Sequence, residues 1–247
     1  MFNRRYVLFM KLNHTIKLIL GLLLFLVLPS GLFFTFIYFK YDEPVPTGIQ
    51  GKQADSLARQ MLDALNYPAF LNTNHLEWTY KYRRHYKWDR KKGVCTVYWD
   101  EYKVQLHFHD STQSQAYVHN FKVIDDKATQ LIQKAKAHFR NDSFWLLEPY
   151  RVMDSTNTRS LVTTENNEPA LLVKTKNSGL ASNDTYLWTF DRDGKPKSCK
   201  IWTSKLPIGG IEASWNNWTT TNSGAVLPYA HEVLFTRIEL SHIAGDY

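Results

Sequence analysis

Residues 75–92 read HLEWTYKYRRHYKWDRKK, eighteen positions holding five aromatic rings and seven Lys or Arg side chains. Basic charge interleaved with rings would suit a nucleic-acid strip, a membrane-surface patch, or one strand of a wall around an apolar ligand. Counting by twos from Leu76 gives Trp78, Tyr80, Tyr82, Arg84, Tyr86 and Trp88. The other parity gives Glu77, Thr79, Lys81, Arg83, His85, Lys87 and Asp89. One face is almost wholly aromatic and the other almost wholly charged. A single-strand binder needs rings and cations on the same face, because bases and phosphates lie together. A sheet with one face in a core needs them segregated. The stretch is therefore one strand or hairpin with rings inward, and nucleic acid is not an expected partner. On the outer face, Lys81, Arg83 and Lys87 could still meet anionic headgroups.

Period-two alternation recurs along the chain. Tyr102, Val104, Leu106 and Phe108 interleave with Lys103, Gln105, His107 and His109, a half-buried strand. Tyr186, Trp188 and Phe190 form another, and a turn over 191–196 leads into a return strand in which Lys200, Trp202 and Ser204 lie opposite Cys199, Ile201 and Thr203. The tail offers a strand over 213–218, a turn over 220–224 and a long run from Val226 to His242. Strands follow one another without helices between them, so the sheet is expected to be antiparallel.

Two segments have helical spacing instead. Ala54, Leu57, Ala58, Met61, Leu62 and Leu65 make one apolar stripe, ended by Asn66-Tyr67-Pro68. The second runs from Asp126 to Phe139, with Asp125 or Asp126 as its cap and Ala128, Leu131, Ile132, Ala135 and Phe139 as its stripe. Each must cover something. The expected fold class is α+β, mainly β, with two covering helices.

Ahead of this domain, Leu18 to Phe39 is 22 residues without charge, a helix of about 33 Å against a hydrocarbon layer of about 30 Å. Pro29-Ser30-Gly31 is a weak signal-peptide end, but the apolar run continues past it, so retention as an anchor is the expectation. Arg4, Arg5, Lys11 and Lys17 precede the run, which orients residues 1–17 to the cytoplasm. Residues 40–50, with Pro44 and Pro46, read as a stiff spacer. Residues 51–247 are then the domain outside the inner membrane, in the periplasm. Lys and Arg exceed Asp and Glu by 30 to 23 over the chain, and residues 1–43 account for five and two of these. The domain's remaining excess of four is weak for a phosphate-gripping surface.

No chemical motif stands out. There is no nucleophile elbow, no phosphate loop and no dinucleotide fingerprint. His107, His109 and His119 could approach zinc, but a solvated strand face is the simpler reading. Asp191-x-Asp193-Gly194 lacks the downstream acid of a calcium loop and reads as a turn. Neither metal, cofactor nor enzymatic activity is expected. Cys95 and Cys199 are expected to be two buried thiols. The presumed inner face is more telling, since Trp78, Tyr80, Trp88, Phe108, Trp188 and Trp202 are large amphipathic rings. They could line an acyl-chain cavity or fill a small antiparallel core.

The run from Asn141 to Asp154, NDSFWLLEPYRVMD, resembles that of a family of uncharacterised exported bacterial proteins, close to Asn-Asp-Ser-Tyr-Trp-Leu-Leu-Met-Pro-Phe-Lys-Leu-x-Asp. The resemblance extends over residues 54 to about 235 through Trp78-Thr79-Tyr80, Arg83-Arg84-x-x-x-Trp88-Asp89, Trp215-Asn216-Asn217-Trp218 and Leu227-Pro228. That family is similar in turn to the LolA-like outer-membrane lipoprotein carriers, whose fold is a curved antiparallel half-barrel with helices over an apolar cavity. The resemblance implies that Trp145 to Tyr150 connect the second helix back to the sheet. It also implies that the rings of Trp78 to Trp88 face the concavity. Glu148 departs from the pattern, which has an apolar residue there, and a spanning helix replaces a cleaved or lipidated leader. The expectation is a membrane-anchored half-barrel holding a lipid or acylated polypeptide, lined by Trp78, Tyr80, Trp88, Phe108, Trp145, Trp188 and Trp202. Leu57, Met61, Leu131 and Ile132 would belong to gating helices. The alternative is an envelope scaffold or interaction domain with a filled core.

Overall fold

The computed structural model describes residues 14–176 and 183–247. The chain divides after Glu43 into an N-terminal unit and a sheet domain, Pro44–Tyr247. In the first unit, α1 spans His14–Tyr41, and its stretch Ile16–Tyr41, of mean hydropathy 2.4, is long and apolar enough to cross a membrane. Pro29 lies inside this helix, where it removes one backbone donor. In the same turn Ser30 Oγ donates to Leu26 O at 2.7 Å. Arg4, Arg5 and Lys11, on which the expected orientation rests, lie outside the described residues.

The domain begins with β1 (Ile49–Gln50), α2 (Lys52–Ala64) and the short α3 (Tyr67–Asn72). Next come β2 (His75–Tyr80), β3 (Arg84–Asp89), β4 (Val94–Trp99), β5 (Tyr102–His107), β6 (Gln115–Val118), β7 (Phe121–Val123) and α4 (Asp125–Leu147). The rest is strand: β8 (Thr158–Thr163), β9 (Pro169–Lys174), β10 (Thr185–Phe190), β11 (Pro196–Trp202), β12 (Ile211–Ser214), β13 (Asn217–Thr220), β14 (Val226–Val233) and β15 (Thr236–Asp246). All pairings are antiparallel, in the order β1-β8-β9-β10-β11-β12-β14-β15-β2-β3-β4-β5-β6-β7, with β13 beside β14. β1 and β7 do not pair with each other, so the sheet is open.

The opening stretch is a hairpin. Leu76 pairs with Trp88, Trp78 with Tyr86, and Tyr80 with Arg84, so the ring parity carries across the turn. The turn itself breaks the pattern: Lys81 and Tyr82 take φ of 48° and 54°, and Tyr82 is 70% exposed. Arg84 shares the ring parity without joining the core as an apolar group. Its Nε and Nη2 donate to Asp142 Oδ2 and Oδ1 of α4 at 2.5 and 3.0 Å, and Tyr86 OH donates to Oδ2 at 2.5 Å.

Several expected boundaries move. α2 ends where Asn66 adopts left-handed backbone, but Pro68 then opens α3, because proline suits the first turn of a helix. α4 runs eight residues past Phe139, so Trp145 to Leu147 are its last turn and not a connection. Asp125 and Asp126 lie in its first turn, where negative charge suits the helix dipole, and Ile124 occupies the cap position without a side-chain bond. The long run from Val226 is two strands, turned at Leu234 and Phe235, with Leu234 at φ 51°. The strand expected over 213–218 is split between β12 and β13.

The main core gathers the ring face of the sheet, the apolar stripe of α2 and that of α4. α2 lies against β8 and β9, whereas α4 lies against β5, β6 and β14. A smaller cluster of Val162, Ala170, Leu172, Leu187 and Trp202 occupies the other face of β8 to β11. That accounts for the unbroken apolar run of β9, whose central residues are buried on both sides.

The clamp between α4 and β3 can be measured. Asp142→Ala leaves the half-buried Arg84 without its partner and should cost about 3 kcal/mol of unfolding free energy, read from urea denaturation. The combined change Arg84→Met with Asp142→Leu should recover most of it, because removing both charges also removes the cost of desolvating them.

Candidate functional site

The ring face of the sheet and the inner face of α4 meet in two aromatic groups. In the first, Phe139 of α4 reaches between the strands, with ring centroids 6.1 Å from Trp78, 6.3 Å from Tyr86, 5.4 Å from Trp88 and 4.9 Å from Phe108. Trp78 and Tyr86, directly paired across the hairpin, stack at 4.6 Å. In the second, Trp145 stacks on Trp215 at 5.6 Å, and Trp188 meets the same Trp215 edge-on at 5.0 Å. Phe144 packs against Tyr186 at 5.3 Å and Trp215 at 5.8 Å. Such offset and edge-on pairs are the arrangements that ring quadrupoles favour.

Of the seven rings expected to line a cavity, Trp78, Tyr80, Trp88, Trp145 and Trp188 belong to this interior. Trp78 and Trp188 have no exposed surface. Tyr80 lies under the Arg84 guanidinium, 4.9 Å from its ring centre. Phe108 falls just beyond β5 at the margin and is 44% exposed. Trp202 lies on the other face of the sheet. Trp188 pairs with Cys199 and Tyr186 with Ile201, so residues 199 and 201 share the Trp188 face and residue 202 cannot. Among the helix residues, Met61 and Leu131 are buried, while Leu57 and Ile132 pack at the edge of the core. Tyr86, Phe139, Phe144, Trp215 and Tyr186 were not expected as lining. The pattern nevertheless carried most of them, Tyr86 in the ring parity, Tyr186 in alternation with Trp188, Phe139 in the helix stripe and Trp215 in the Trp-x-x-Trp spacing.

Polar groups inside this interior are few and specific. The indole N–H groups of Trp78, Trp88, Trp99, Trp188, Trp215 and Trp218 are buried and find no acceptor. His231 of β14 has no exposed surface and lies between two carbonyl oxygens, Nδ1 at 2.9 Å from Ser214 O and Nε2 at 2.8 Å from Trp145 O. Burial pushes its pKa down to about 4, against the pull of both carbonyls toward the charged form. The neutral ring has one N–H and donates to one of the two, and its approach to Trp145 O brings the last turn of α4 against β14. The 3-10 turn that follows, Glu148–Arg151, is pinned by Tyr150, whose hydroxyl donates to Leu65 O and Val226 O at 3.0 and 2.6 Å. The Tyr150 ring stacks 3.8 Å from Phe70.

Cys95 and Cys199 are free, buried thiols on β4 and β11, and burial raises the pKa of each. His107 and His119 lie toward opposite ends of β5, since Tyr102 at its start pairs with Val118. Among the described residues, no three His, Cys, Asp or Glu side chains form a metal set. Asp191 caps a hairpin turn, its Oδ1 accepting from the backbone of Asp193 and Lys195 at 3.0 Å each. Among the described residues, one open hollow of about 480 Å³ is lined by Leu76, Glu77, Lys87, Trp88, Thr96, Ala244 and neighbours, so that Trp88 alone of the seven expected rings borders it, and another of similar size by Thr164, Glu168, Lys197, Glu212, Asn216, Glu232 and neighbours.

Glu148 is the carboxylate that the core does not accommodate. It is 3% exposed, its Oε2 receives no hydrogen bond, and the nearest cation, Arg151 Nη1, is 3.7 Å away. Burial raises its pKa to about 7. The folded state therefore binds a proton between about pH 4.5 and pH 7 that the unfolded state has released, and stability falls as pH rises through that window. The loss is on the order of 3 kcal/mol at pH 8. Glu148→Met should be more stable than the parent at pH 8, and thermal melts from pH 4 to pH 8 should show a flatter profile for the variant. The sequence matches no protein-family model and no curated protein.

Proposed function

We propose that the chain is a single-pass protein of the inner membrane, anchored by α1, whose domain outside the cytoplasm is a curved half-barrel acting as an interaction module with a filled interior. The observation that carries this reading is the closure of the rings on one another. Phe139 occupies the space between Trp78, Tyr86, Trp88 and Phe108, and Trp215 occupies that between Trp145 and Trp188. With Trp78, Tyr86, Trp188 and Trp215 devoid of exposed surface, no water-sized space adjoins them. The partner on this reading meets the outer surface or the hairpin tips.

A second reading, a LolA-like carrier of a lipid or acylated polypeptide, is favoured by the six buried indole donors. An unmatched buried donor costs about 1–3 kcal/mol, and a core selected only for packing would use Phe or Leu there. A ligand with acceptor oxygens could meet those donors if α4 lifted from the sheet. Burial of ten acyl methylenes would contribute roughly 8 kcal/mol before ordering costs.

Native mass spectrometry and organic extraction of the full chain, purified from envelope membranes, separate the two. The interaction-module reading expects no stoichiometric lipid and tryptophan fluorescence unmoved by added fatty acid. Co-purifying lipid that is lost in a Phe139→Asp variant, itself checked for folding by circular dichroism, would establish the carrier instead.

A further inference from the structure

The turn between β2 and β3 and the turn between β14 and β15 come to the same end of the sheet. Lys81 N donates to Glu239 O at 2.9 Å, and Tyr82 OH donates to Glu239 Oε2 at 2.8 Å, so the first turn lies beside residue 239 of β15. The β14–β15 hairpin continues past that point by four residues, to Phe235, a projection of roughly 13 Å at about 3.3 Å per residue. At its tip Leu234 and Phe235 are 43% and 73% exposed. Register brings a third turn to this end. Ala213 of β12 pairs with Val233, the last residue of β14, so the loop that leads into β12 emerges at the level of the tip. Leu206 of that loop is 41% exposed.

Apolar side chains scattered singly over a surface are ordinary. Here Tyr82, Leu206, Leu234 and Phe235 gather on three turns at one end, and the free charge among them has one sign. Lys81 and Arg83 flank Tyr82, and Lys205, beside Leu206, donates through Nζ to Asn141 Oδ1 of α4 at 2.9 Å. Arg140 precedes that asparagine. Arg83 and Arg140 are exposed and have no carboxylate partner among the described residues. The acids at this end are already engaged: Glu239 and Glu232 lie 2.9 and 3.7 Å from Arg237, and Asp142 is held by Arg84. Asp100 and Glu101, on the turn after β4, limit the cationic area on one side.

We propose that this end of the domain docks on an anionic bilayer surface, with Leu234 and Phe235 entering the headgroup layer and Lys81, Arg83, Arg140 and Lys205 meeting lipid phosphates. A projecting tip of two side chains offers little of the roughly 800 Å² that each partner of a stable protein complex contributes. A bilayer makes no such demand, because its headgroup layer yields around a small apolar projection while basic side chains at the same depth meet the negative surface. The potential of that surface falls off within a Debye length, so the cations act only when the tip is already at the headgroups. As the partner of the interaction module proposed above, the bilayer rests on that reading in one respect: α1 keeps the domain at a membrane, where lipid is supplied at high effective concentration.

The test uses the full chain in nanodiscs, with Thr236→Cys carrying a nitrobenzoxadiazole label beside the intact Leu234 and Phe235. Cys95 and Cys199 have no exposed surface, so the folded chain is labelled at residue 236. In one arm the discs themselves contain phosphatidylglycerol. In the other they are phosphatidylcholine alone, and phosphatidylglycerol vesicles are added. The expected result is a blue shift of the label, with quenching by nitroxide lipids, in at least one arm, and the arm that responds shows whether the surface belongs to the anchoring bilayer or to a facing one. In the vesicle arm, Arg83→Gln, Arg140→Gln and Lys205→Gln should each raise the lipid concentration for half the shift about fivefold. Phe235→Ser should abolish the shift and Phe235→Leu should keep it, with circular dichroism unchanged in both. A label silent toward both bilayers in the folded chain, or a shift that survives Phe235→Ser, overturns the docking. The anchor has its own readout, retention of the chain in membranes washed with alkaline carbonate, so failure of one is distinguishable from failure of the other.

Discussion

An open antiparallel sheet with one aromatic face has to hide that face, and here a single helix does most of the hiding. α4 places Phe139 and Phe144 against the rings of β2, β3 and β10. Its position is set by polar contacts at two points, Asp142 on Arg84 and Tyr86, and Trp145 O on His231. Apolar contact alone does not define which rotation of the helix is correct, because rings tolerate several offsets. Directional bonds to buried partners do define it, since any other rotation would strand a carboxylate in the core.

What could be read beforehand follows from which properties are local. The segregation of Trp78, Tyr86 and Trp88 from Glu77, Lys87 and Asp89 is a property of consecutive residues, so it survived intact as a hairpin. The helix stripes of Met61 and Leu131 were legible for the same reason. The end of α4 was not. Asn141, Asp142 and Ser143 are weak helix formers by propensity, and what keeps them helical is the pairing of Asp142 with residues 56 and 58 positions away. The alternation of Lys200 and Trp202 with Cys199 and Ile201 was legible in the strand itself, but which of these faces meets Trp188 was hidden, because that depends on hairpin register.

The two faces of the domain have different physical characters. Under α4 the groups are apolar, unhydrated and mutually supporting, and the few charges there, Glu148 above all, are in tension with their surroundings. The outer face of β2, β3 and β15 is partly hydrated, with hydrogen bonds that run from strand to strand in a defined direction. Changes on one face reach the other only through the shared backbone, so each can diverge in sequence without disturbing its counterpart.

β15 pairs with β14 through Thr236 to Glu239 and with β2 through Leu240 to Asp246. Among the described residues it is thus the ladder that joins β2 to β7 to the strands that follow α4, the short β1 pairing separately with β8. During synthesis the earlier hairpins emerge with a ring face that nothing yet shields along one edge, and that edge stays open until the last strand arrives. Assembly of this domain is therefore a closing step that depends on the far end of the chain, with a sticky half-sheet as its transient precursor. The charged outer parity of residues 77 to 92 then has a role before folding is complete, keeping that precursor soluble while it waits.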